Sequence, residues 1–154
     1  MKPIRRKEKE IVDQEKIKNI IKQARICNIA MCRDNIPYTV TMNFGFDGEY
    51  IYLHSAAEGL KIDILKENPR VCISIVQNIQ FIPALIPCKS TMEYESVLIF
   101  GRADFLSDKA ERIKALKYII QHYYRGVKRV TENDINKLAI IRIEIEKMTG
   151  KYSS

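Results

Sequence analysis

The sequence predicts a mainly β domain with flanking helices, in which six or so strands in antiparallel hairpin order form a small closed or partly open β-barrel. Three observations carry that prediction. Residues 38–46 alternate, with Tyr38, Val40, Met42, Phe44 and Phe46 on one face and Thr39, Thr41 and Asn43 on the other, and the hairpin signal Asp47-Gly48 follows at once. Residues 70–76 (Arg-Val-Cys-Ile-Ser-Ile-Val) are apolar and β-favouring. Residues 138–146 alternate again, with Ile141, Ile143 and Ile145 opposite Arg142, Glu144 and Glu146.

The remaining elements fall between these. Residues 8–23 fit an amphipathic helix with Ile11, Ile17, Ile20 and Ile21 on one face, so that residues 1–24 form an N-terminal helical extension. Residues 25–32 read as a strand closed by the turn formers Asp34-Asn35. The strand at 49–54 completes the hairpin, and a helix at 59–66 stops before Asn68-Pro69. From 77 to 90 the pattern breaks into an apolar loop punctuated by Pro83 and Pro87, which needs a partner to cover it. Strand returns at 93–106, where Gly101 allows a bulge or a close approach. Ser107-Asp108 starts a helix to about Tyr124, and Thr131-Glu132-Asn133-Asp134 resembles a capping box for a short one.

A chain of 154 residues with 46% hydrophobic and 29% charged residues is most simply one globular domain. No apolar run reaches the roughly 20 residues that span a bilayer, and the basic N-terminus lacks the apolar region of a secretory signal, so a cytoplasmic protein is the expectation. The net charge of +7 is spread along the chain, with only short clusters at Arg5-Arg6-Lys7 and Lys128-Arg129. Without a helix-turn-helix, RRM or finger signature, the charge reflects solubility or attraction of small anionic ligands rather than nucleic acid. Cys27, Cys32, Cys72 and Cys88 show neither CxxC spacing nor a disulfide pattern, and neither His54 nor His122 lies at a zinc-finger interval from them. Buried reduced thiols are the expectation.

The stretch from Ile51 to Lys61 carries the chemistry. A strand delivers His54 and Ser55 to its end, a small-residue turn follows, and a helix begins with Lys61 in its first turn. A hydroxyl, free N–H groups at a helix start and an ammonium then converge, which suits a phosphate. Plainer readings stand beside this one: Ser55 as a helix N-cap, Lys61 as a solvated lysine, and His54 bonded within the barrel wall. Thr41 and Asn43 fit solvent exposure as well as ligand contact, Tyr94 fits a core as well as a stacking role, and His122 reads as a surface residue of its helix.

Taken in order, Pro37-Tyr38-Thr39-Val40-Thr41-Met42-Asn43, Tyr52-Leu53-His54-Ser55-Ala56 with Gly59-Leu60-Lys61, Asn68-Pro69-Arg70-Val71, Tyr94-Glu95-Ser96-Val97 with Phe100-Gly101, and Thr149-Gly150-Lys151 form a specific set. That set resembles the FMN-binding split-barrel proteins related to pyridoxamine 5′-phosphate oxidase, and among them the 5-nitroimidazole reductase (nitroimidazole-resistance) branch. The resemblance implies a single domain with a six-stranded antiparallel, Greek-key split barrel. It places the FMN phosphate on His54, Ser55 and Lys61, and the ring and ribityl contacts on Val40, Thr41, Met42 and Asn43. Ser96 and Val97 would contact flavin from a neighbouring strand, in a homodimer with flavin sites at the interface.

The resemblance makes His54 the candidate catalytic residue, as a proton donor near flavin and substrate. The implied activity passes electrons from NADH or NADPH through flavin to a small organic acceptor, a nitroaromatic being the candidate. A flavin- or haem-binding carrier or sensor without turnover is the alternative. Two positions depart from the pattern: Leu60 precedes Lys61 where the oxidase has a second basic residue, and Glu95 stands where relatives often have arginine. The first argues against pyridoxal-phosphate synthesis proper.

Overall fold

The computed structural model describes residues 5–126 and 135–153. Eight strands form one antiparallel sheet in the order β3-β2-β6-β7-β8-β5-β4, with β1 paired to β8. They are β1 (Glu10–Ile11), β2 (Cys27–Arg33), β3 (Ile36–Met42), β4 (Gly45–Phe46), β5 (Tyr50–Ala56), β6 (Arg70–Ile82), β7 (Thr91–Phe105) and β8 (Leu138–Ser153). Two of these, β1 and β4, are two-residue strands, which leaves the six principal strands of the expected fold. The outermost strands of the order, β3 and β4, are separated in the chain only by Asn43 and Phe44. The sheet must therefore curl until its ends nearly meet. That is a split barrel, mainly β with helices α1 (Gln14–Gln23), α2 (Leu60–Glu67) and α3 (Lys109–Tyr123) around it.

The helix expected over 8–23 starts later, because Asp13 caps it by accepting from the N–H groups of Glu15 and Lys16 at 2.9 and 3.3 Å. Ahead of it, Ile11 pairs with Gly150 in the sheet. The expected isoleucine face holds, with Ile11, Ile17, Ile20 and Ile21 all buried. The strand expected over 38–46 breaks after Met42. There Phe44 is fully buried and its N–H donates to the Tyr123 hydroxyl at 3.0 Å, so the chain turns inward to meet α3.

The segment 77–90 divides: residues 77–82 continue β6 as strand, and 83–90 form the loop, with a 3-10 turn at Pro87–Lys89. Asn78, at φ +55°, accommodates a register shift between Gln77 and Gln80, and pairing resumes at Gln80–Glu93 and runs to Ile82–Thr91. The result is a long hairpin arm of β6 and β7 beyond the barrel. Strand β8 likewise continues well past Glu146, to Ser153. The capping-box residues Thr131–Asp134 lie outside the described residues.

His122 is not a surface side chain: its Nε2 lies 2.6 Å from the Ala24 carbonyl and its ring packs 4.5 Å from that of Phe44. With Tyr123, whose hydroxyl donates to the Arg25 carbonyl at 2.7 Å, it ties the end of α3 to two chain crossings. Close approach depends on two glycines. A Cβ at Gly45 would sit 2.5 Å from the Ile119 backbone nitrogen of α3, and one at Gly101, beside the register shift in β7, would collide with the Glu144 carbonyl oxygen. Cys27 is buried and its thiol pKa is pushed up to about 12 by desolvation, whereas Cys32 and Cys72 are half-buried and Cys88 is exposed, against the expectation of four buried thiols.

Candidate functional site

Strand β5 alternates between two environments. Ile51 and Leu53 enter the barrel core, and Tyr52 turns outward to stack on Tyr118 of α3. His54 and Ser55 follow, paired in the ladder with Ile140 and Ala139. The chain leaves the sheet after Ala56 and turns at Gly59, whose φ of +116° favours glycine. Gly59 is thus the N-cap of α2, and Ser55 is not a capping residue. No side chain of the described residues caps this helix; the Gly59 carbonyl accepts from the N–H groups of Ile62 and Asp63 at 2.8 and 3.1 Å. The N–H groups of Leu60 and Lys61 are the helix-start donors left for an acceptor from elsewhere.

Lys61 is half-buried, which lowers its pKa, and it makes no ion pair with any described carboxylate. His54 is also half-buried; burial first, and then the charge of Lys61, lower its pKa. Folding thus holds an imidazole of lowered proton affinity and an ammonium with no ion pair among the described residues together beside helix-start N–H groups, a corner suited to an anion.

Strand β3 lies near this corner. Leu60 and Ile64 of α2 and Ile36, Pro37 and Tyr38 of β3 line one cavity of about 240 Å³. As the outermost strand of the sheet order, β3 is hydrogen-bonded only to β2 among the described residues. Val40 packs partly against the core and Met42 is buried in it, so their side chains face inward, whereas Thr41 and Asn43 are exposed. The Thr41 hydroxyl donates to Asn28 Oδ1 at 2.7 Å. Asn28 was not singled out from the sequence; its signal was a polar position opposite Thr41 on the outer face of β2.

Ser96 and Val97 sit elsewhere. The Ser96 hydroxyl donates to the Lys151 carbonyl at 3.3 Å and lines a groove of about 450 Å³ with Ser74, Val76, Ile79, Met92 and Leu98. Tyr94 lines the same groove and is half-buried, outside the core. Val97 is fully buried, so its side chain serves the core and leaves only main chain to meet a ligand. His54 stands opposite Ile140 of β8 and Ser96 opposite Lys151, eleven positions further on, about 36 Å of strand contour. One chain thus carries His54, Ser55 and Lys61 on one strand–turn–helix segment, with Leu60 of that segment against the start of β3, and sets Ser96 eleven ladder positions along β8 from His54. Glu95 is engaged within the chain, by Lys16 at 2.8 Å and by Asn78 Nδ2 at 2.6 Å.

Residues 13–152 match the pyridoxamine 5′-phosphate oxidase family, and the chain belongs to that family. Among solved structures it resembles a candidate 5-nitroimidazole antibiotic resistance protein from Bacteroides thetaiotaomicron, at 31% identity and a TM-score of 0.84, over 93% of this chain and 86% of that one. It also shares the fold of an FAD and haem binding protein from Mycobacterium smegmatis, at 18% identity and a TM-score of 0.85, over 95% and 74% of the two chains. An uncharacterized protein of Rhizobium meliloti is 26% identical over 92 residues, 60% of this chain and 54% of that protein. No helix among the described residues is long and apolar enough to cross a membrane.

Proposed function

We propose that the protein is an FMN-dependent oxidoreductase that takes electrons from NADH or NADPH and delivers them to a small organic acceptor, a nitroaromatic being the favoured class. The observation that carries this reading is the half-buried Lys61, without an ion pair or helix-capping side chain beside it among the described residues, next to His54 at the start of α2 in a chain of the pyridoxamine 5′-phosphate oxidase family. The residues fit a phosphate: Lys61 supplies charge, Leu60 and Lys61 supply N–H donors, and Ser55 supplies a hydroxyl without a protein acceptor among the described residues. From that anchor the edge strand β3 offers main-chain groups and Thr41 and Asn43 to the rest of the cofactor, with Val40 and Met42 contributing backbone. When bound, the flavin supplies hydride acceptance from the nicotinamide and its passage to the acceptor. With the phosphate and flavin bound beside it, His54 would take up the proton that a reduced nitro or carbonyl oxygen requires.

A homodimer completes this site. The offset of eleven ladder positions along β8 between Ser96 and His54 in one chain supports a second copy as the source of Ser96 at each flavin. The hairpin arm offers an apolar face for that contact, with Ile79 63%, Phe81 60% and Ile86 52% exposed. A location in the cytoplasm accords with this chemistry. Titration of FMN against the purified protein, followed by flavin fluorescence, tests the proposal. Micromolar or tighter binding at one flavin per chain is expected, and absence of binding overturns it. A Soret band on haem addition instead of flavin binding would move the protein to the carrier or sensor alternative.

A further inference from the structure

Away from the site above, the outer face of β2, β6, β7 and β8 carries a groove of about 470 Å³ whose walls include Ala30, Cys32, Arg70, Cys72, Phe100 and Glu146. Two thiols meet in it. Cys72 pairs across the sheet with Ala30, and Cys32 lies two residues beyond Ala30 on the same outward face. Asn68 Nδ2 donates to the Cys32 carbonyl at 2.9 Å, so β2 and the start of β6 stay side by side past the last ladder pair. Cys32 and Cys72 therefore stand as diagonal neighbours, and the small side chain of Ala30 leaves the space between them open.

Diagonal positions on an antiparallel pair lie about 7–8 Å apart at Cα, with Cβ atoms somewhat closer. That exceeds the reach of an unstrained disulfide, whose Cα separation is at most about 7 Å. A linear S–metal–S unit with bonds near the zinc–thiolate length of about 2.3 Å spans about 4.6 Å between sulfurs, which suits the diagonal. A tetrahedral zinc site needs four ligands, and no group of three or more His, Cys, Asp or Glu side chains among the described residues is placed to hold a metal. Two soft donors without a third select a cation content with two thiolates, of the Cu(I) class.

We propose that Cys32 and Cys72 form a two-coordinate thiolate site for a soft monovalent cation of the Cu(I) class. Binding exchanges two thiol protons, released to solvent, for one monovalent ion, leaving a bis-thiolate complex of charge −1 with no change of oxidation state. Arg70, whose guanidinium has no ion pair among the described residues, supplies the compensating positive charge in the same groove. Glu146 on the opposite wall opposes it, which makes Arg70 the required partner. The inference does not depend on flavin binding.

The test is anaerobic titration of the reduced full-length protein with Cu(I) against a colorimetric chelator of known affinity. One ion per chain is expected in competition. Cys32→Ser and Cys72→Ser are each expected to weaken binding by about 100-fold or more, because each removes the intramolecular second donor. Cys88→Ser is expected to leave binding unchanged. Failure of the wild type to compete, or retention of the ion by either single variant, overturns the proposal. Should a variant fold poorly by circular dichroism, X-ray absorption of the loaded wild type decides: two sulfur neighbours support the site, and three or more, or nitrogen and oxygen only, contradict it.

Discussion

His54 and Lys61 bracket the turn between β5 and α2, and each lowers its proton affinity in the same half-buried corner: burial acts on both, and the lysine's charge adds to it at the histidine. An anion bound there opposes both shifts, since its charge favours the protonated form of each group. FMN binding is therefore expected to take up protons near neutral pH, and calorimetry in buffers of different ionisation enthalpy measures that uptake. A binding heat independent of buffer would show that the phosphate lies elsewhere.

The same pair sets a sign for stability. The folded pKa of His54 lies below its ordinary value of 6.5, so the unfolded chain binds more protons as pH falls through that region. The free protein is expected to lose stability on acidification below about pH 6.5, and His54→Gln is expected to flatten that slope. Urea denaturation between pH 5 and 8, at roughly half-unit steps, reads it directly.

Replacing Lys61 by glutamine removes a charge-assisted contact worth about 1.5–3 kcal/mol. FMN affinity is expected to fall roughly 10- to 150-fold, with the melting temperature of the free protein little changed, since Lys61 has no ion-pair partner among the described residues to lose. Fluorescence titration of the variant checks this.

Much of the fold was legible because alternation and turn chemistry fix faces and hairpins. The isoleucine face of α1, the turn at Asp47-Gly48 and the close approach at Gly101 all follow from residue type. What remained hidden depends on distant partners. The break after Met42 comes from Tyr123, 79 residues from Phe44, and the continuation of β6 past Asn78 comes from pairing with Glu93 and Met92. The site shows the same division. His54, Ser55 and Lys61 lie within eight positions on either side of one turn and could be read together, whereas the fully buried side chain of Val97 and the Asn28 contact to Thr41 are facts of tertiary packing.

Gly101→Ala is expected to destabilise the fold by about 1–3 kcal/mol, because the added methyl meets the fixed carbonyl of Glu144 rather than a yielding side chain. By contrast, Lys16→Ala should cost only about 0.2–1 kcal/mol, since its ion pair with Glu95 is solvent-exposed on the lysine side. Chemical denaturation of the two variants should separate them clearly; comparable losses would contradict the packing described for β7 and β8.

Ile79→Glu places a charge in the apolar groove beside Ser96. If a second copy sits there, sedimentation velocity should show a wild-type dimer and a monomeric variant, and the monomer should bind FMN more weakly because Ser96 is lost to the partner site. A wild type that sediments as a monomer while binding flavin normally would contradict the shared site.

The most direct measurement is the anaerobic absorbance spectrum of the FMN-loaded protein before and after NADH or NADPH. The account predicts flavin bands near 370 and 450 nm, as for any bound oxidised flavin, with the longer-wavelength band bleached by one of the two donors and restored by a nitroaromatic acceptor. A protein that binds no flavin, or whose bound flavin neither donor bleaches, would contradict the oxidoreductase reading.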